Sequence, residues 1–166
     1  MVVMLLLLLL PQSIFVIGDY IAFGIRFPFF RLQMMLVGAP GMGNVTQPGT
    51  LVYPITIVRE LQYIPRGLVG NALGKTAIAT YLWFAGLLVL ILAAILVLAW
   101  QYFEREDLAR YPGLLVILTG VLFLLSAMAQ YGPLLYGVAG YSVPIGVPIL
   151  WYFGYEFVQA AKGTGN

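Results

Sequence analysis

The sequence predicts an all-α transmembrane protein, a four-helix bundle with a small β-hairpin-bearing loop between its first two helices. Two observations lead to this fold class. First, 62% of the 166 residues are hydrophobic and only 8% are charged, whereas a typical soluble domain carries about 25% charged residues. Second, uncharged runs long enough to cross about 30 Å of hydrocarbon recur along the chain. We expect residues 1–166 to form a single integral, multi-pass membrane domain embedded in the lipid bilayer.

The missing residue types exclude several kinds of chemistry. The chain has no cysteine and no histidine, so it lacks thiolate nucleophiles, zinc–cysteine sites and the usual haem and copper ligands. A serine–histidine–aspartate triad is excluded as well. The net charge of +2 is too small to indicate a nucleic-acid interface. The sequence therefore predicts no catalytic residue, no cofactor, no metal and no nucleic-acid partner.

The N-terminal segment is predicted to be the first span, near residues 2–25. It begins with a leucine run and is interrupted by Pro11 and Asp19. A cleaved signal peptide is the rival interpretation, but the segment lacks a basic N-terminal region and a clear small-residue cleavage site. A retained helix is therefore favoured.

The loop at 27–75 differs in composition from the spans. The turn signal Gln47-Pro-Gly-Thr50 separates Val45-Thr46 from the stretch Leu51-Val-Tyr-Pro-Ile-Thr-Ile-Val58, and both flanks have residues that favour strands. We expect a small hairpin on the membrane surface, followed by a short amphipathic stretch. A re-entrant loop over residues 32–58 is the alternative, because this stretch carries no charge.

Three further spans are predicted near 77–103, 113–129 and 134–158. The first of them is uncharged and has a tryptophan near each end, where interfacial aromatic residues are typical. The other two share one uncharged run, which is too long for a single span and contains the turn signal Gly132-Pro133.

The last predicted span contains two prolines, Pro144 and Pro148. Proline removes an intrahelical hydrogen bond, and its ring clashes with the preceding turn. We therefore expect a bend or break of the helix at these positions.

Two acidic residues inside predicted spans are the candidate polar sites, Asp19 and Glu156. An ionisable group inside a span is costly and indicates a function by default. The alternative is that both are interfacial, Asp19 sharing a charge cluster with Arg26 and Glu156 acting as an anchor near Lys162. Their closeness to the ends of their spans favours the interfacial interpretation. In a four-span bundle they would lie towards opposite membrane faces.

Three functions are compatible with this sequence. The favoured one is a non-catalytic subunit or scaffold of a membrane assembly, with other membrane subunits or copies of the chain as partners. The second is a small oligomeric transporter or channel that uses the Pro/Gly-broken last helix and Glu156. The third is a lipid-active membrane enzyme, in which Asp19, Glu60 and Glu156 would supply the acid–base chemistry.

Overall fold

A computed structural model describes residues 2–18, 22–37, 49–65, 74–103, 110–138 and 140–163. The elements are, in chain order, α1 (Val2–Leu9), β1 (Ser13–Ile17), β2 (Ala22–Arg26), β3 (Phe30–Val37), β4 (Gly49–Thr56), α2 (Ile57–Tyr63), α3 (Lys75–Phe103), α4 (Arg110–Tyr131), β5 (Tyr136–Gly137), β6 (Gly140–Val143) and α5 (Gly146–Gly163).

The predicted all-α four-helix bundle is wrong. The described residues form five helices and one six-stranded antiparallel sheet with the strand order β4-β3-β2-β1-β6-β5. Two helices in this part of the chain are long and apolar enough to cross a membrane, over Lys75–Tyr102 and Tyr111–Tyr131. The helices predicted at 77–103 and 113–129 are thus confirmed, as α3 and α4, whereas the spans at 2–25 and 134–158 are not continuous helices.

The first predicted span ends as a helix at Leu9 and continues as two strands. Pro11 cannot donate a helical hydrogen bond, and Gly18 has φ 58°, a left-handed conformation that suits a turn. β1 and β2 then pair antiparallel, from Ser13 opposite Arg26 to Ile17 opposite Ala22. A continuous apolar run does not by itself distinguish a helix from a buried strand. Here the β-branched and aromatic residues after Gln12 adopt the strand.

The last predicted span is divided between a short hairpin and a helix. β5 and β6 form the hairpin, Pro144 follows β6 directly, and Pro148 lies in the first turn of α5. β6 pairs with β1, so the sheet supplies backbone hydrogen bonds that a longer helix would otherwise have supplied. Gly140 has φ 118° and its Cα faces the carbonyl of Val16. A side chain at that position would collide with β1.

The predicted strand after the Pro-Gly turn exists as β4, but its partner differs from the one expected. β4 pairs with β3 over its whole length, from Phe30 opposite Thr56 to Val37 opposite Gly49. The other strand of the predicted hairpin, at residues 45–46, lies outside the described residues.

The helices pack through glycines at close contacts. A Cβ on Gly86 of α3 would lie 2.8 Å from the ring of Phe123 in α4. A Cβ on Gly113 of α4 would lie 2.6 Å from the carbonyl oxygen of Gly154 in α5. Small residues let helix backbones approach closely in this way. The buried core combines residues of all five described helices: Met4, Leu7, Ile57, Trp83, Leu87, Leu90, Ala93, Val97, Val116, Phe123, Val147 and Leu150.

Candidate functional site

The sheet carries its charged residues on the face that meets the helices. Side chains alternate between the two faces of a strand, and Arg26 of β2 lies directly opposite Arg31 of β3. Ser13 of β1 lies opposite Arg26 on the same face. Arg26 is 6% exposed and contacts residues of both α3 and α4. We call this face the inner face, and the opposite one the outer face.

Glu60 of α2 neutralises Arg31. Its Oε1 lies 2.7 Å from Nη2 of Arg31, and the two side chains are 3% and 14% exposed. Thr56 begins α2 as its N-cap, accepting a hydrogen bond from the backbone N–H of Arg59 at 3.3 Å. The hydroxyl of Thr80 in α3 lies 3.5 Å from Glu60 Oε2. Together these contacts hold a carboxylate beneath the edge of the sheet.

Arg26 connects the sheet to the two long helices. Its Nη2 donates to Oε1 of Gln130, near the end of α4, at 2.8 Å. Its Cζ lies 4.8 Å from the ring centroid of Trp83 in α3, within cation–π range. The indole N–H of Trp83 donates to the carbonyl of Phe27 at 3.1 Å, which fixes the ring. Both arginines also approach Phe15 of β1, with each Cζ 5.9 Å from its ring centroid.

These residues form a buried set that we call the arginine cluster: Arg26, Arg31, Glu60, Trp83, Gln130 and Tyr131. Burial lowers the pKa of Arg26, because removal from water disfavours the charged form, and Arg31 lowers it further while Glu60 opposes the change. Arginine nevertheless stays protonated in proteins. The cluster therefore contains two cations and one carboxylate.

Several polar atoms of this region have no hydrogen-bond partner among the described residues. They include Arg26 Nε, Arg31 Nε and the hydroxyl of Tyr131, which are donors, and Gln33 Oε1, which is an acceptor. Buried polar groups are usually paired with protein, water or an ion. Unused donors beside an excess of positive charge favour an acceptor that carries negative charge.

An open cavity of about 510 Å³ adjoins the cluster. Gln130 and Tyr131 form part of its wall, together with Lys75 at the start of α3 and Tyr136 in β5. Because Arg26 donates to Gln130, the guanidinium lies one residue behind this wall.

The outer face of the sheet is apolar and carries no charge over its described side chains. The strand registers define two rows across it. The first row is Pro54, Leu32, Ile25, Ile14 and Val143, and the second is Val52, Met34, Phe23, Val16, Tyr141 and Tyr136. The exposed fractions are 41% for Ile14, 44% for Phe23, 56% for Val52, 50% for Val143 and 74% for Tyr136, whereas Val16 is buried at 8%.

This distribution differs from the usual arrangement of a sheet that lies on a core, because both faces carry apolar side chains and the charges lie on the inner one. A sheet with one solvated face normally places apolar side chains inward and polar side chains outward. Here the arginines, Gln33 and Ser142 face inward, and aliphatic and aromatic side chains face outward. Contiguous exposed apolar surface marks an interaction site. The outer face is therefore the second candidate site.

Comparison with protein-family models, curated proteins and solved structures finds no match for this chain.

The residues singled out from the sequence do not assemble into one site. Asp19 lies outside the described residues. Glu156 is exposed on α5 and lies on the side that carries Trp151, Tyr152 and Tyr155. Of the described residues, no group of three acidic side chains could hold a metal ion.

Sequence reasoning missed the pairing of Arg26 with Arg31. The signal is present, since the two arginines flank Phe27-Pro-Phe-Phe30, a short stretch whose proline favours a tight turn. Reading the first 25 residues as a helix placed Arg26 at a membrane edge with Asp19 instead. In a hairpin the same arginine faces a neighbouring strand.

Proposed function

We propose that this chain is a non-catalytic, multi-pass membrane protein that serves as a subunit of a membrane assembly. In this proposal the outer face of the sheet docks onto an uncharged, apolar face of a different protein. The observation that carries it is the outer face of the sheet, which has two apolar rows and no charge, whereas the charged residues lie on the inner face.

The long helices support a membrane location. In the most apolar windows of α3 and α4, 33% and 44% of the residues are buried within the chain. A core helix of a soluble protein would be mostly buried. The remaining surface of these helices is aliphatic and exposed, as at Leu88, Leu92, Ile95, Leu114, Leu118 and Leu125. Hydrocarbon is the environment that such a surface favours.

The open edges of the sheet favour a protein over lipid on its outer face. β4 and β5 are the outermost of the described strands, and each pairs on one side with a neighbour in this sheet. Unpaired backbone groups at a sheet edge are costly in hydrocarbon, so lipid-exposed open edges do not occur at membrane depth. A protein partner can cover the apolar rows and also satisfy the edge groups.

The surroundings of the acidic residues support a structural role over an enzymatic one. Glu60 is 2% exposed and ion-paired with Arg31. A carboxylate held in this way stabilises its partner cation. Glu156 is exposed beside aromatic residues of α5, a setting that favours an interfacial anchor over an ion site in a helix interior.

A photo-crosslinking amino acid at Val52, in the chain's own membranes, tests the proposal. We expect an adduct heavier than the 18.2 kDa chain by the mass of another protein. The same group at Ile95 on α3 should give no protein adduct, because that position is expected to face lipid. An adduct of twice the chain's mass would indicate a homo-oligomer and favour the transporter alternative. No mass shift at Val52 would mean that lipid covers the sheet.

Charge substitutions provide a matched second test. Val143→Asp places a carboxylate at the β6 end of the first apolar row, and we expect the assembly to dissociate to a smaller particle on native gels. Leu134→Asp is the control, because Leu134 is 88% exposed but lies outside the sheet. Equal particle masses for both variants would contradict docking through this face.

A further inference from the structure

The arginine cluster has one positive charge that its own carboxylate does not balance. Arg26 and Arg31 are both buried or nearly so, and Glu60 pairs with Arg31. The structure describes two acidic residues, and the other one, Glu156, is exposed on α5. An unbalanced charge in a low-dielectric interior is strongly unfavourable. A counter-charge at this place would remove that cost.

The cluster also offers donors that nothing in the described chain uses. Arg26 Nε, Arg31 Nε and the hydroxyl of Tyr131 are buried without a hydrogen-bond partner there. Tyr131 is only 3% exposed, so bulk water does not satisfy its hydroxyl. Gln33 Oε1 is a neutral acceptor on the same face, and a neutral oxygen cannot balance a charge.

The donors belong to three elements that meet at one place. Arg26 and Arg31 are opposite each other on β2 and β3, and both guanidinium groups approach the ring of Phe15 to 5.9 Å. Tyr131, at the end of α4, directly follows Gln130, which accepts the hydrogen bond from Arg26. The neighbouring cavity, with Lys75 in its wall, gives an approach from outside that is lined on one side by Gln130 and Tyr131.

We propose that Arg26, Arg31 and Tyr131 bind a small monovalent anion of the halide class. One negative charge balances the single excess positive charge of the cluster. A spherical ion accepts hydrogen bonds from any direction. This property suits a site whose donors lie on two strands and a helix.

Trp83 provides a direct readout of this site, because its ring lies 4.8 Å from Arg26 Cζ. In the variant Trp100→Phe/Trp151→Phe, Trp83 is the remaining tryptophan of the three in the chain. Iodide is the probe, added to the purified full chain at constant ionic strength with gluconate as the balancing anion. We expect saturable quenching of Trp83 fluorescence that chloride reverses. Quenching that rises linearly with iodide and is unaffected by chloride would overturn the proposal.

A pair of tyrosine variants tests the donor role. Tyr131→Phe removes one hydroxyl, and we expect the affinity for iodide to fall about tenfold, since a hydrogen bond to a charged group commonly contributes at least that much. Tyr136→Phe is the matched control, because Tyr136 lines the cavity but is 74% exposed. Equal iodide affinity in both variants would overturn the assignment of Tyr131.

Thermal unfolding gives an independent measurement on the unmodified chain. A ligand that binds the folded state raises Tm, so we expect a higher Tm in chloride than in gluconate at the same ionic strength. The increase should be smaller for Tyr131→Phe than for Tyr136→Phe. The same Tm in both salts would mean that water fills the site. A higher Tm in phosphate but not in chloride would overturn the assignment of a monovalent anion to this site.

Discussion

Arg26 of β2 and Gln130 of α4 form a hydrogen bond of 2.8 Å between residues 104 positions apart in the sequence. This bond joins the inner face of the sheet to the end of the second long helix. Arg26 also contacts Trp83 of α3, so one side chain connects the sheet to both helices. The position of the sheet relative to the bundle therefore depends on a polar contact inside an otherwise apolar protein.

Gln130→Ala should destabilise the protein, because it leaves Nη2 of Arg26 buried without its acceptor. We expect a loss of about 1.5–3 kcal/mol in the free energy of unfolding, the range for hydrogen bonds to charged groups. Chemical unfolding in detergent measures it. Gln159→Ala on the exposed side of α5 is the control and should change stability by less than about 0.5 kcal/mol. Equal losses of stability in Gln130→Ala and Gln159→Ala would show that the hydrogen bond between Arg26 and Gln130 contributes nothing to stability.

Glu60→Gln should be far more damaging than Glu156→Gln. Removing the charge of Glu60 leaves Arg31 as an uncompensated buried cation beside Arg26, which costs about 3–5 kcal/mol. Glu156 is exposed, so its substitution should be nearly silent in the same unfolding measurement. If Glu156→Gln instead altered ion flux in reconstituted vesicles, the transporter alternative would gain over the subunit proposal.

Gly113→Ala should separate α4 from α5. The new Cβ would lie 2.6 Å from the carbonyl oxygen of Gly154 and 2.9 Å from the backbone nitrogen of Val158, and backbone atoms cannot move aside as a flexible side chain can. We expect a loss of about 1–3 kcal/mol from overpacking. Val121→Ala, at a more exposed position of the same helix, is the comparison. If Gly113→Ala left the free energy of unfolding unchanged, α4 and α5 would have to lie farther apart than in this structure.

The membrane crossing of α3 and α4 has a direct topological test. The chain has no cysteine, so Gln101→Cys and Val138→Cys each introduce a unique label, near the far end of α3 and after the end of α4. If both helices cross, an impermeant maleimide added to one side should modify only one of the two variants. Labelling of both variants from the same side of sealed vesicles would exclude two crossings.

Composition alone identified the long helices. The uncharged runs at 77–103 and 113–129 are too long for strands and have no prolines inside them, so α3 and α4 follow from length and hydropathy. The β-rich stretch after the Pro-Gly turn likewise predicted the strand that exists as β4. These elements follow from the local sequence. A long uncharged run favours a helix, and a stretch rich in β-branched residues favours a strand, whichever segment of the chain it packs against.

The first and last predicted spans failed for one shared reason. Residues 13–17 and 140–143 lie within long uncharged stretches of the sequence, yet they pair with each other as β1 and β6 from opposite ends of the chain. The hydrophobicity of a segment does not indicate whether its backbone forms hydrogen bonds within a helix or with a distant strand. Only the tertiary fold brings these two segments together.

The sequence by itself determined an apolar, sparsely charged chain with two long helices and no cysteine or histidine chemistry. The tertiary structure decided which face of each strand meets the helices. That choice brought Arg26, Arg31 and Glu60 together beneath the sheet and left the apolar rows outward. The physical reason is register: a shift of one residue in strand pairing exchanges the two faces, and register is set by contacts between segments that lie far apart in the sequence.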